Sequence, residues 1–175
     1  MAKHPAASTR LWAPWRMAYI RGLREPGCLF CRTAADPEGR RERLVLCVRP
    51  EAFVMMNRYP FAAGHLLVVP RRHAADLTEL ASDELAALFE LVRDSVTALR
   101  AAVLAEGMNV GLNLGAVAGA GIAEHLHAHV VPRWRGDLNY MPVVAGVHVM
   151  PEALEATYER LLPYFQPLDR APRGP

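Results

Sequence analysis

The chain has 175 residues, 52% of them apolar, and 20 Lys and Arg against 18 Asp and Glu leave a formal net charge of +2. That length fits one domain with peripheral extensions, and the apolar content excludes wholesale disorder. So balanced a charge excludes nucleic-acid or membrane binding through bulk electrostatics, no run approaches the ~18 apolar residues of a bilayer span, and three cysteines do not make a disulfide scaffold. The N-terminus lacks the apolar run of a signal peptide, so the expected compartment is the cytoplasm.

In chain order, residues 1–10 are small and polar and read as a flexible N-terminus. Trp12, Trp15, Tyr19 and Ile20 form an aromatic cluster that needs a packing surface. Arg16, Arg21, Arg24, Arg40, Arg41 and Arg43 crowd the first quarter, as an exposed arginine-rich face or as a site for an anionic substrate. Residues 34–43 read as a polar loop punctuated by Pro and Gly. Residues 44–48 and 53–56 are rich in strand formers and make a plausible hairpin across 49–51. Residues 65–69 form a third strand closed by Pro70, 110–114 a fourth, and 125–131 a fifth closed by Pro132. Between the third and fourth lies a long amphipathic helix over 83–106. Ser82 is its expected N-cap, Gly107 its stop, and Leu85, Leu88, Phe89, Val92, Val96, Leu99 and Val103 line one face. A shorter helix runs from Pro151 to about Leu162, and 166–175 read as a flexible tail. Hairpin strands with segregated helices give an α+β fold, five-stranded and mostly antiparallel, over one domain at 11–165 that includes an N-terminal extension.

The strongest chemical signal is Glu124-His125-Leu126-His127-Ala128-His129-Val130-Val131-Pro132. Along a strand, alternate side chains share a face, so His125, His127 and His129 form one row while Leu126, Ala128 and Val130 face the core. Imidazole titrates near neutrality and serves as base, nucleophile or metal ligand. Crowded rings disfavour protonation, which keeps a nucleophilic nitrogen available. A structural row and a metal site made only of these three rings are the rival readings; a central nucleophile held by its neighbours explains the pattern best. Cys28-Leu29-Phe30-Cys31 is a half-site for zinc, with a reduced buried pair or a reversible disulfide as its alternatives. Cys47, in mid-strand, reads as an inert core residue.

The His-x-His-x-His pattern resembles the histidine-triad (HIT) nucleotide hydrolases and transferases. The segments Asn57-Arg58-Tyr59-Pro60, Gly64 to Pro70, Asn113-Leu114-Gly115 and Ala118-Gly119 are similar to family motifs in the same order. Leu11 to Arg16, Tyr19-Ile20 and Arg133 to Pro142 resemble a bacterial branch that includes diadenosine tetraphosphate phosphorylases and hydrolases. The resemblance spans roughly residues 10–165 and implies the HIT fold.

It also implies roles. His127 would attack the α-phosphate and become nucleotidylated, and His129 would donate to a phosphate oxygen. His125 would orient the row or bind metal, and His65 would join from the neighbouring strand. Asn57 would lie near ribose, Asn113 against ribose or phosphate, and Asn139 near the phosphates. His73 and His125 would complete a structural zinc site with Cys28 and Cys31. Water or inorganic phosphate would then release the nucleotide, making the chain a hydrolase or a phosphorylase of dinucleoside polyphosphates. A divalent cation would help neutralise the substrate, and family members form homodimers or higher homo-oligomers. The chain departs from the common pattern at 116–123, where a glutamine or serine is usual and only Ala, Val, Gly and Ile occur. The backbone amides of Gly119 and Gly121 are expected to cradle phosphate there. Trp134, Tyr140 and Met141 would cover a nucleobase or meet a partner subunit; His4 and His148 read as surface residues. The alternatives are a Hint-type nucleoside phosphoramidase and a nucleotide-binding signalling protein with negligible turnover.

Overall fold

The computed structural model describes residues 26–137 and 152–169. The N-terminal aromatic cluster, Asn139, Tyr140, Met141, His4, His148 and the flexible-terminus reading of 1–10 lie outside the described residues. The elements are α1 (Leu29–Ala35), β1 (Val45–Val48), β2 (Ala52–Met56), β3 (Leu66–Pro70), α2 (Ser82–Val103), β4 (Gly107–Leu112), β5 (Ala128–Arg133) and α3 (Leu154–Phe165). The strands form one sheet in the order β1-β2-β3-β5-β4, and every pairing is antiparallel. The α+β architecture expected from the sequence is the one observed.

Strand alternation sorts the core into two layers. Val54, Met56, Leu66, Val68, Ala128 and Val130 point to one face, against Leu88, Leu91 and Leu99 of α2 and Tyr158, Leu161 and Phe165 of α3. Phe53, Met55, Leu67 and Val69 point to the other, where Phe30 of α1 covers them. α1 covers only the β1–β3 part of that second face, and no helix among the described residues covers the β5–β4 part beside it.

Boundaries differ from the sequence reading in instructive ways. α2 stops at Val103, where Leu104 takes the left-handed conformation at φ +50, rather than at Gly107. Gly107 is claimed by β4, because it pairs with Arg133. β4 therefore occupies Gly107–Leu112 instead of 110–114. The N-cap is Ala81 rather than Ser82, and the Glu84 carboxylate accepts its N–H at 2.9 Å. β5 starts at Ala128 and includes Pro132. Its ladder with β3 spans only Ala128 to Val130, so Pro132 has no neighbour on that side to which an N–H is owed. α3 runs through Pro163 to Phe165, whose buried ring holds the last turn in the core.

The arginines of the first quarter that are described serve structure. Arg40 pairs with Asp169, Arg43 with Asp36, and Arg41 with Glu159 while lying over the Tyr158 ring. The tail reading at 166–169 is corrected by the same contacts: 166–168 make a 3-10 turn, and Asp169 accepts from Arg40 and from the Val48 amide.

The β1–β2 ladder is irregular between Val45 and Cys47, and the buried Tyr158 hydroxyl donates to the Val45 carbonyl at 3.1 Å. Tyr158→Phe removes that buried donor from the Val45 carbonyl. The expected cost is roughly 1–3 kcal/mol, read as a lower urea midpoint; an unchanged midpoint would contradict it.

Candidate active site and metal-ligand cluster

The histidine row crosses the boundary between loop and strand. His129 lies in β5 opposite Leu67 and Gly111, whereas His125 and His127 precede the ladder. They are held by a different set of bonds. The Leu126 amide donates to the Ala74 carbonyl at 2.7 Å, and the His125 ring bonds the Pro70 carbonyl through Nε2 at 2.9 Å. These contacts tie the row to the end of β3 and to the loop behind it. Leu126 and Ala128 still point into the helix-side core, so the alternation survives without a full strand.

Carbonyl oxygens only accept, which settles two tautomers. His127 Nδ1 lies 2.9 Å from the His125 carbonyl, so Nδ1 carries the proton and the lone pair of the neutral ring is at Nε2. His125 Nε2 carries its proton toward Pro70, so its lone pair is at Nδ1, facing the cysteines. A third follows from an amide. The Phe61 N–H donates to His65 Nδ1 at 3.1 Å, so His65 Nε2 holds the proton and donates to His129 Nδ1 at 2.9 Å. His129 is thereby left with a proton on Nε2, available to an anionic oxygen.

Burial supports the same protonation pattern. His65 is fully buried, and burial together with the neighbouring His129 and His127 charges pushes its pKa from 6.5 to about 4. Burial first, and His127 second, also lower His129. Desolvation is the main cause of the lowering at His125.

Cys28, Cys31, His73 and His125 converge from α1, its N-cap, the loop after β3 and the row. Their ligand atoms lie within 4.8 Å of one another. Cys28 Sγ is 3.2 Å and Cys31 Sγ 3.6 Å from His125 Nδ1, and Cys31 Sγ is 3.2 Å from His73 Nδ1. Tetrahedral bonds of ~2.0–2.3 Å put ligand atoms roughly 3.3–3.8 Å apart, so the spacing and the two-thiol, two-imidazole donor set fit a closed metal site. Burial, then Cys28, raises the Cys31 thiol in the absence of an ion. Burial pushes the Cys47 thiol up to about 12, as suits an inert core residue.

Other predicted residues are placed with differences. Asn113 lines a groove with His129. The Asn57 amide is engaged by the protein: Nδ2 lies 3.3 Å from His65 Nδ1, and Oδ1 accepts from the Tyr59 amide at 2.9 Å. The Gly119 amide donates to the Ala116 carbonyl at 3.0 Å, and the Gly121 amide has no partner among the described residues. Trp134 is tied down by Nε1 donating to the Val103 carbonyl at 3.0 Å.

Two aromatic residues went unread in the sequence. Phe30 is fully buried, with its ring 5.3 Å from that of His125 and 5.1 Å from that of His127. Its position between two candidate ligands was the available signal. Phe61 stacks on His65 at 4.9 Å and leaves 68% of its surface exposed. Phe61, Asn109, Val110, Leu112, Val131 and Arg133 also line the ≈410 Å³ groove beside His129.

A row of imidazoles with alternating donor and acceptor nitrogens lies beside an antiparallel sheet, a geometry that leaves one ring with a free lone pair and another with a free N–H. A family model described as HIT domain matches residues 39–136. A Mycobacterium tuberculosis protein named AP-4-A phosphorylase is 38% identical over 160 residues, covering 87% of this chain and 82% of its own. The fold is similar to a Zn-bound histidine triad family protein from Mycobacterium smegmatis, with TM-score 0.65 and 24% identity, covering 81% of this chain and 95% of that one. It is also similar to a hypothetical histidine triad nucleotide-binding protein from Sulfolobus tokodaii strain 7, with TM-score 0.64 and 27% identity, covering 81% and 93%. The chain belongs to the HIT family. No helix among its described residues is long and apolar enough to cross a membrane.

The His65 shift has a consequence for stability. The unfolded ring at 6.5 binds a proton that the folded ring refuses until about pH 4. The contribution is complete above pH 6.5 and is lost as pH falls from 6.5 toward 4. Melting temperature should drop less over that interval in His65→Asn than in the parent; equal drops would contradict the assignment.

Proposed function

We propose that the chain is a dinucleoside polyphosphate phosphorylase that works through a nucleotidyl-histidine. The observation that carries the reading is the His127 tautomer: Nδ1–H is committed to the His125 carbonyl, and Nε2 is left with a lone pair. His127 Nε2 attacks the α-phosphate, the P–N bond forms, and the bond to the bridging oxygen of the leaving polyphosphate breaks. The His129 Nε2–H, its direction set through His65, donates to a non-bridging oxygen as charge builds there. Asn113 and the open Gly121 amide supply neutral donors to ribose or phosphate, and the free lone pair on Asn57 Oδ1 serves the nucleoside side. Asn139 belongs to the same reading near the phosphates. Inorganic phosphate then attacks the nucleotidyl group and restores His127. Phosphate is favoured over water by the name of the 38% identical relative. A divalent cation neutralising the polyphosphate belongs to the reading as well.

Zinc in the Cys28–Cys31–His73–His125 cluster is the second part of the proposal, supported by the donor set and by the Zn-bound fold neighbour. When bound it supplies structural cross-linking of α1 to the row rather than a reaction step. The Pro70 carbonyl already orients the His125 ring for it from behind. A cytoplasmic setting suits such reduced thiols. The homodimer or higher homo-oligomer that the family resemblance implies is supported by the outer edge of β4, which pairs with no other strand among the described residues.

Incubation with diadenosine tetraphosphate, followed by anion-exchange analysis, should give ADP plus ATP only when inorganic phosphate is present. AMP plus ATP without phosphate would make the chain a hydrolase, and no cleavage would overturn the substrate class. His127→Asn should lower turnover at least ~10³-fold with the fold intact.

Freshly purified protein should hold one zinc per chain by elemental analysis, and Cys31→Ser should lose it with a lower melting temperature. A chain free of zinc and unaffected by the substitution would remove the metal site.

A further inference from the structure

The sheet face that carries the histidine row is covered unequally. α1 closes it over β1–β3, and among the described residues the strip formed by β5 and β4 is left as a ≈410 Å³ groove. Antiparallel pairing puts Gly111 opposite His129, Asn109 opposite Val131 and Gly107 opposite Arg133, all on this face. The two glycines leave Asn109 as the one β4 residue with a side chain on this floor, and a Cβ at Gly111 would meet nothing within 4 Å. The groove therefore begins at His129 and ends at Arg133, four residues further along one strand, about 13 Å at ~3.3 Å per residue.

The far end is held in place. Arg133 Nε and one terminal nitrogen are clamped by Asp137 at 2.6 and 2.9 Å, and the other terminal nitrogen reaches Asn109 Oδ1 at 3.3 Å. A guanidinium has five N–H donors, so among the described residues these three contacts leave two unspent and fix where they point. Phe61, with an exposed ring, stands beside His129 at the near end. An arginine with spare donors, oriented by a carboxylate, at the end of a groove whose floor carries glycine at two of its three β4 positions and that opens from a phosphate-handling histidine, suits an extended anion.

We propose that the β4–β5 groove is the subsite for the leaving half of the substrate, and that Arg133 with Asn109 binds its distal phosphates and so selects long polyphosphate leaving groups. This rests on the phosphorylase reading above. The α-phosphate is held at His127 and His129; the chain beyond it runs along the strand face toward Arg133. A substrate whose leaving group carries no phosphate never reaches that end. Arg133 is thus a specificity residue for leaving-group length, separate from the residues that bind the transferred nucleotide.

The experiment compares two probes, diadenosine tetraphosphate and adenosine 5′-phosphoramidate, whose leaving group has no phosphate. Dissociation constants are measured by calorimetry in a His127→Asn background, where nothing turns over. Arg133→Ala should weaken the tetraphosphate about tenfold, as for loss of one charge-assisted hydrogen bond at a partly exposed site, and change the phosphoramidate less than twofold. Asn109→Asp retains the acceptor for Arg133 and adds a negative charge, and should shift the tetraphosphate in the same direction. Equal weakening of both probes by Arg133→Ala would show a structural role and overturn the proposal, as would no change in either. If the His127→Asn parent binds the phosphoramidate but not the tetraphosphate, the substrate class fails, and the groove assignment with it, before Arg133 is touched.

Discussion

The hydrogen bond from His127 Nδ1 to the carbonyl of His125 is the constraint on which the site depends. A neutral imidazole with its proton at Nδ1 has its nucleophilic lone pair at Nε2, and no other group in the row settles that choice. The bond joins two residues that lie outside the regular ladder, so their geometry has to come from elsewhere. It comes from the Ala74 and Pro70 carbonyls, which take the Leu126 amide and the His125 ring, and from the Phe30 ring, which fills the space against both imidazoles.

This arrangement ties chemistry to architecture at one residue. His125 offers its backbone carbonyl to the His127 ring, its Nε2 to the end of β3, and its Nδ1 to the cysteines at the start of α1. α1 is a seven-residue helix with no side-chain N-cap, too short to persist by its own propensity. It is kept by Phe30 in the core and by the ligand cluster at its start. The Cys28–Cys31–His73–His125 cluster and the tautomer of His127 are then two ends of one connected structure. The His65 relay works on the opposite side of the row with the same logic: a backbone amide sets one tautomer, and the next ring inherits its own from it.

Much of this was legible in the residues. Alternation in His125 to Val131 gave the shared face of the histidines, and the helical stripe of Leu88, Val92 and Leu99 gave the face of α2. The Cys28–Cys31 pair with His73 and His125 proved to be one cluster in space. The less legible parts have physical causes. Helix ends depend on which partner claims the next residue, and Gly107 went to β4 because Arg133 pairs with it. The extent of a strand depends on its neighbours' reach, which ended the β3–β5 ladder at Ala128. Phe61 and Arg133 took meaning only from register, since nothing in their local sequence states that they flank the same groove. In the loop at 116–121 local sequence does not distinguish the Gly119 amide, which bonds within its own turn, from that of Gly121, which has no partner among the described residues.

The central claim is that His127, and no other nucleophile, carries the transferred nucleotide. Rapid quench of a single turnover at neutral to alkaline pH, followed by peptide mass spectrometry, tests it directly, because a phosphorus–nitrogen bond survives there. The account predicts one nucleotidyl group on the peptide that spans the row, localised to His127. A nucleotidyl group on His129, His125 or a cysteine would contradict it, as would full turnover with no adduct at any time.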